Sequence, residues 1–104
     1  MKPIILELAR DDLKEICEYL SEFGENPQKR FRESFQKFCI KVESMPYMYA
    51  QYEHNPMYRR AVVSYDYLVY YKVEESNDRV KIYRVLHGKR DIPPLLDSGE
   101  DQSD

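Results

Sequence analysis

The apolar residues of this chain change their period at Met45-Pro46, and that change limits what the chain can fold into. Before it, Leu13, Ile16, Cys17 and Leu20 fall at i, i+3, i+4 and i+7, the stripe of an amphipathic helix. Phe31, Phe35, Phe38 and Val42 form a second stripe, with Cys39 beside them. After the change come three runs rich in β-branched and aromatic residues: Tyr58–Ser64, Tyr67–Glu74 and Arg79–His87. Short polar turns separate them, the spacing of an antiparallel three-stranded meander. Helices first and strands second predict an α+β domain, with a helical hairpin packed on one sheet face.

Local signals set the expected boundaries. Pro3–Leu8 (PIILEL) reads as a short N-terminal strand, and the helical period starts at Ala9. Asp11 and Asp12 then fall in the first turn, where carboxylates favour the positive helix end. Gly24 suits the end of that helix. Asn26-Pro27 restarts a helix, with Asn as N-cap and Pro at the first helical position. Met45-Pro46 stops it, because the residue before proline is pushed out of helix. Tyr47–Met57 reads as a loop or a weak edge strand. In the last strand, alternation places Val80, Ile82 and Leu86 on the helix-facing side, with Arg84 interrupting them. Arg84 is then expected to pair with a helix acid, Glu15 or Glu18. Lys81, Tyr83, Val85 and His87 fall on the other face.

A chain of 104 residues can bury one modest core, so residues 1–96 are expected to form a single domain. The last eight residues, DSGEDQSD, carry four acids and no base and are expected to be disordered. No apolar run approaches the ~20 residues of a membrane helix. The start, MKPIILELARDD, lacks a small-residue cleavage site, so a cytoplasmic protein is expected. Cys17 and Cys39 are then reduced and act as small buried hydrophobes. With no Cys-x-x-Cys pair and two distant histidines, neither a metal site nor a cofactor is expected.

The net charge of −3 conceals a polarity. The first 57 residues hold eight basic and ten acidic side chains; residues 58–96 hold eight basic and five acidic. That is far below the basic footprint of a typical nucleic-acid binder. The basic residues gather in RVLHGKRD, Arg84–Asp91, a strand end broken at Gly88.

The order strand, helical hairpin, meander, with DLKEICEYL, RFRESF, YRRAVVSYDYLVYYKV and RVLHGKRDIPPLL, resembles the RelE/ParE superfamily of toxins from type II toxin–antitoxin systems. The resemblance covers Ile4–Leu96. It implies a small bacterial protein neutralised by a cognate antitoxin. RelE-like members are ribosome-dependent mRNA endonucleases, and ParE-like members inhibit DNA gyrase without nuclease activity.

The resemblance suggests a nuclease set of Arg60, His87 and Arg90. Arg90 matches the arginine of the glycine-lysine-arginine turn, and Arg59 and Arg60 lie where such enzymes bind phosphate. Attack by a 2′-hydroxyl needs a base, an acid and cations around the phosphate. Glu53 and His54 offer a base from the loop. The departures are the absence of lysine in Tyr47–Met57, and the run IPPLL after Asp91 with no tyrosine or histidine. The expectation is therefore the ParE-like branch, a toxin that binds a protein target such as gyrase. Arg59, Tyr49, Tyr52, Lys89 and Arg90 would contact partners, since aromatics with arginine anchor protein interfaces. The alternatives are an mRNA endonuclease acting at the ribosome, and a non-toxic homologue that keeps only antitoxin binding.

Overall fold

The computed structural model describes residues 1–88. The order is β1 (Lys2–Ile5), α1 (Glu7–Ser21), α2 (Glu25–Ser44), β2 (Arg59–Val63), β3 (Tyr67–Glu74) and β4 (Arg79–His87). The meander forms as expected, and β3 and β4 keep the bounds read from sequence. β1 joins it beside β4, giving a four-stranded sheet in the order β1-β4-β3-β2. β1 runs parallel to β4, and the other pairs are antiparallel.

The helices start earlier than their capping residues suggest. α1 begins at Glu7 and α2 at Glu25, so Asp12 lies inside α1 and Asn26 inside α2. The break between them is set by Gly24, at φ 107° and ψ 178°. Only glycine adopts that region without strain.

The helices bury one face against the sheet. Phe31, Phe35, Phe38 and Val42 of α2 join Ala9, Ile16 and Leu20 of α1 over Val69, Tyr71, Val80, Ile82 and Val85. Phe38 meets the edge of the Tyr71 ring at 5.5 Å, and Phe31 meets Tyr67 at 5.3 Å. The Tyr71 hydroxyl donates to the Pro46 carbonyl at 2.9 Å, which ties the end of α2 to the sheet. Burial pushes the Tyr71 phenol up to about 12. It likewise pushes the Cys39 thiol to about 11, away from reactive thiolate chemistry.

The opposite sheet face carries its own apolar cluster: Tyr52, Tyr58, Tyr70, Tyr83 and Leu86. Strict alternation would not put Tyr83 and Leu86 on one face. The register shifts between Tyr70, opposite Arg84, and Tyr71, opposite Ile82, so Tyr83 is the extra residue of a β-bulge. Beyond it Val85, Leu86 and His87 change face. Val85 packs under the helices and Leu86 on the outer face, the reverse of the alternation read from sequence.

The turns are tight. Tyr65 and Asp66 both have positive φ, 62° and 63°, between β2 and β3. Gly88 donates to the Asp66 carbonyl at 2.9 Å, and a Cβ at Gly88 would meet that oxygen at 3.2 Å. At the other end Glu74 accepts from Asn77 at 2.9 Å, and also from Arg79. Lys81 lies 3.5 Å away. These donors and charges lower the Glu74 pKa from 4.5 to about 2. No described helix is long and apolar enough to cross a membrane.

Two outcomes follow. Gly24→Ala should cost ~1–3 kcal/mol by denaturant unfolding, all of it from the backbone, because no atom lies within 4 Å of the added Cβ. The Glu74 pairing stabilises fully above the ordinary carboxylate pKa and fades as pH falls toward about 2. Glu74→Gln should therefore flatten the acid-unfolding curve in that window, read by circular dichroism.

Candidate functional site

β4 is nine residues long and β1 only four. β1 covers β4 from Arg79 to Ile82, and the Leu6 amide closes the pairing on the Ile82 carbonyl at 3.0 Å. Past that point one edge of β4 has no neighbouring strand among the described residues, and Asp12 of α1 fills the gap. Its carboxylate accepts from the Val85 amide at 3.0 Å, from Arg84 Nε at 2.7 Å and from Arg84 Nη2 at 2.9 Å. Asp12 is 8% exposed. The paired carboxylate raises the Arg84 pKa further. Arg84 thus pairs with a helix acid as expected, but with Asp12 in place of Glu15 or Glu18. Asp12 sits three residues after Ala9 and four before Ile16, on the buried stripe, and that position was the signal in the sequence.

Beside this ion pair a groove runs between α1 and the end of β4. One cavity of about 480 Å³ is lined by Glu15, Ile16, Tyr19, Tyr67, Val85 and His87. A second, of about 400 Å³, continues past Tyr19 and His87 to Phe23, Pro27 and Tyr65. Tyr19 and Phe23 meet edge to face at 5.3 Å, and both rings are more than half exposed. The His87 ring stands on edge against Tyr67 at 5.2 Å, so His87 belongs to the helix side.

Arg60 belongs to the other side. It pairs in register with Tyr70, and its guanidinium lies 5.1 Å over the Tyr52 ring. Burial raises the Tyr70 phenol, and the nearby Arg60 opposes that rise. Tyr70 Oη makes no hydrogen bond of normal geometry among the described residues. Arg60 and His87 are therefore on opposite sheet faces, and the fold does not bring them together. Glu53 and His54 are near Arg60 instead: the His54 ring meets Tyr52 at 5.3 Å, and its Nε2 is 3.7 Å from Glu53.

The residues expected to bind partners separate in the same way. Arg59 Nη1 donates to the Tyr49 carbonyl at 2.7 Å, and its guanidinium stacks 5.0 Å over Tyr47, so it organises the loop after α2. Tyr49 packs on Phe38 and Tyr71. Tyr52 is 4% exposed and builds the outer cluster, so its ring is not presented to solvent. Lys89 and Arg90 lie outside the described residues. Sequence reasoning missed Val62 and Met57, 68% and 65% exposed, of which Val62 shares the outer face with Arg60. Among the described residues no group of three His, Cys, Asp or Glu is placed to hold a metal.

A helical hairpin on one face of this mixed sheet is the architecture of small toxins of the RelE/ParE type. A family model described as the ParE toxin of type II toxin–antitoxin systems, parDE, matches residues 4–92, and the chain belongs to that family. A solved structure described as the chromosomal ParDE TA system from P. aeruginosa is similar in fold, with a TM-score of 0.65 and 14% identity. The match covers 84% of this chain and 95% of that one. No curated protein matches the sequence.

Asp12→Ala should destabilise the domain by ~3–5 kcal/mol, because it strands the Arg84 charge and a buried amide. Glu15→Gln, on the exposed side of the same helix, should stay within ~0.5 kcal/mol. Urea unfolding of both variants checks the pair.

Proposed function

We propose that the chain is the toxin of a toxin–antitoxin pair, neutralised by a cognate antitoxin, and that it acts by binding a protein target of the DNA gyrase kind. The observation that carries this reading is the separation of Arg60 from His87 across the sheet. RNA cleavage needs a proton-transfer group and a cation within reach of one phosphate. Two groups on opposite faces do not meet that need. The exposed outer face offers Arg60 and Val62 over a bed of buried tyrosines, a composition suited to anchoring another protein. Membership of the ParE toxin family supports the same side.

A second reading, mRNA cleavage, has one observation in its favour: Arg60 and His54 both lie against the Tyr52 ring. The two are separated by one experiment. The purified chain should inhibit supercoiling by gyrase, and its expression should leave translated mRNA intact. Arg60→Ala with Val62→Asp should weaken the inhibition roughly tenfold or more without unfolding the domain. Cuts in mRNA that disappear with Arg60→Ala or His54→Ala would overturn the binding reading.

A further inference from the structure

The outer face of the sheet presents two chemistries in a definite order from the end where β4 stops. Nearest Gly88, Val62, Leu68 and Leu86 pair side by side across β2, β3 and β4. Leu86 is buried, Leu68 half-buried and Val62 68% exposed, so this apolar row opens toward the edge strand. Cations come next. Arg60 lies two residues from Val62 on the same face, and Lys72 and Lys81 pair farther down β3 and β4. The sequence after Gly88 repeats that order. Residues 89–104 lie outside the described residues. They run through the apolar stretch 92–96, IPPLL, and then through Asp97, Glu100, Asp101 and Asp104 with no base between.

The cations of the face are held in position. The Arg60 guanidinium stands 5.1 Å over the Tyr52 ring. Lys72 Nζ lies 4.8 Å from the Tyr58 ring and 4.9 Å from Tyr83. Attraction to a ring face fixes where a cation stands without neutralising its charge. Glu74, at the far end of the face, is engaged by Asn77 and Arg79. The distances also suit. Lys81 lies five residues before Leu86, about 17 Å along the strand. Nine residues lead from Gly88 to Asp97 and can span up to ~30 Å, enough to double back. The helix side offers the opposite charge, because Asp11, Glu15, Glu18 and Glu22 stand exposed along α1 and its cap. On α2 the exposed Lys37 and Lys41 alternate with Glu33 and Glu43.

We infer that residues 92–104 of the chain itself lie across the outer sheet face, with Ile92, Leu95 and Leu96 on the Val62–Leu68 row and the acids over Arg60 and Lys72. An acidic stretch without a core of its own takes its order from such a surface. Because it is tethered, it acts at an effective concentration of about millimolar, so weak contacts suffice. The segment covers Arg60 and Val62, and it shields the face on which the proposed target binding depends.

The docking is tested without the target, and only the shielding rests on the function proposed above. A zero-length carbodiimide joins a carboxylate to an ammonium in contact with it. Applied to the dilute full chain at low salt, it should link Asp97, Glu100 or Asp101 to Lys72 within the monomer, as read by mass spectrometry after digestion. These links should exceed those to Lys37 or Lys41 roughly fivefold, and ~1 M salt, which screens charges beyond about 3 Å, should remove the excess. Arg60→Glu with Val62→Asp should cut the Lys72 links roughly threefold or more, with circular dichroism unchanged. Equal linking to Lys72, Lys37 and Lys41, no link to Lys72, or links confined to a dimer fraction would overturn the inference. Replacing the four acids together (Asp97→Asn, Glu100→Gln, Asp101→Asn, Asp104→Asn) should lower the concentration for half-inhibition of supercoiling roughly threefold or more. An unchanged value overturns the shielding. A chain that inhibits supercoiling without links to Lys72 loses this inference and keeps the function proposed above. A chain that forms the links and spares gyrase does the reverse.

Discussion

The carboxylate of Asp12 takes the place of a missing strand. β1 ends at Ile5, so the second half of β4 would expose an amide to a low-dielectric seam between helix and sheet. An unpaired buried amide costs ~1–3 kcal/mol, and an unpaired buried charge costs more. Asp12 meets both needs with one group, accepting the Val85 amide and the two-pronged Arg84 guanidinium. The fork geometry of arginine fixes the angle as well as the distance. α1 is thereby set at one height over β4, and the groove exists because the helix is held there while, among the described residues, no strand lies beside the second half of β4.

The bulge at Tyr83 is the second constraint, and it works with the first. Without it, Leu86 would face the helices and Val85 the outer side. With it, Val85 closes the helix-side core, and its amide points to Asp12 from the uncovered edge. Tyr83 is turned toward Tyr58, which it meets edge to face at 5.2 Å. Lys72 lies 4.8 Å from one of these rings and 4.9 Å from the other. A sheet apolar on both faces results, one face covered by helices and the other by tyrosines whose outer faces meet cations.

Much of this was legible in the sequence, and the failures have definite causes. The change of period at Met45-Pro46 located the hairpin and the meander, because apolar spacing reports which side of an element is buried. The parallel pairing of β1 with β4 had no local signal, since it joins residues nearly eighty positions apart. Asp12 was read as a helix-dipole residue because the helix was started too late. Starting at Glu7 puts that acid among buried positions, where it needs a partner. The bulge left no mark, because Tyr83, Val85 and Leu86 are acceptable on either face. Tyr52 illustrates the same ambiguity in a loop: a tyrosine there suits an interface or a core equally, and burial by the outer sheet face decided it.

The division between the two faces also explains how one architecture can serve different chemistries. The helix-side core, the bulge and the Asp12–Arg84 pair define the fold, and none of them depends on Arg60, Val62 or Met57. Those three residues sit on the edge strand and the loop before it, where a substitution changes what the outer face presents and little else. A cation beside a base and an acid would make such a face a phosphate cutter. On the binding reading proposed above, a cation beside an exposed aliphatic side chain, as with Arg60 and Val62 here, serves as a docking surface. Fold and function are thus carried by different residues. The function proposed for this chain therefore draws on Arg60 and Val62, not on the ion pair that holds the domain together.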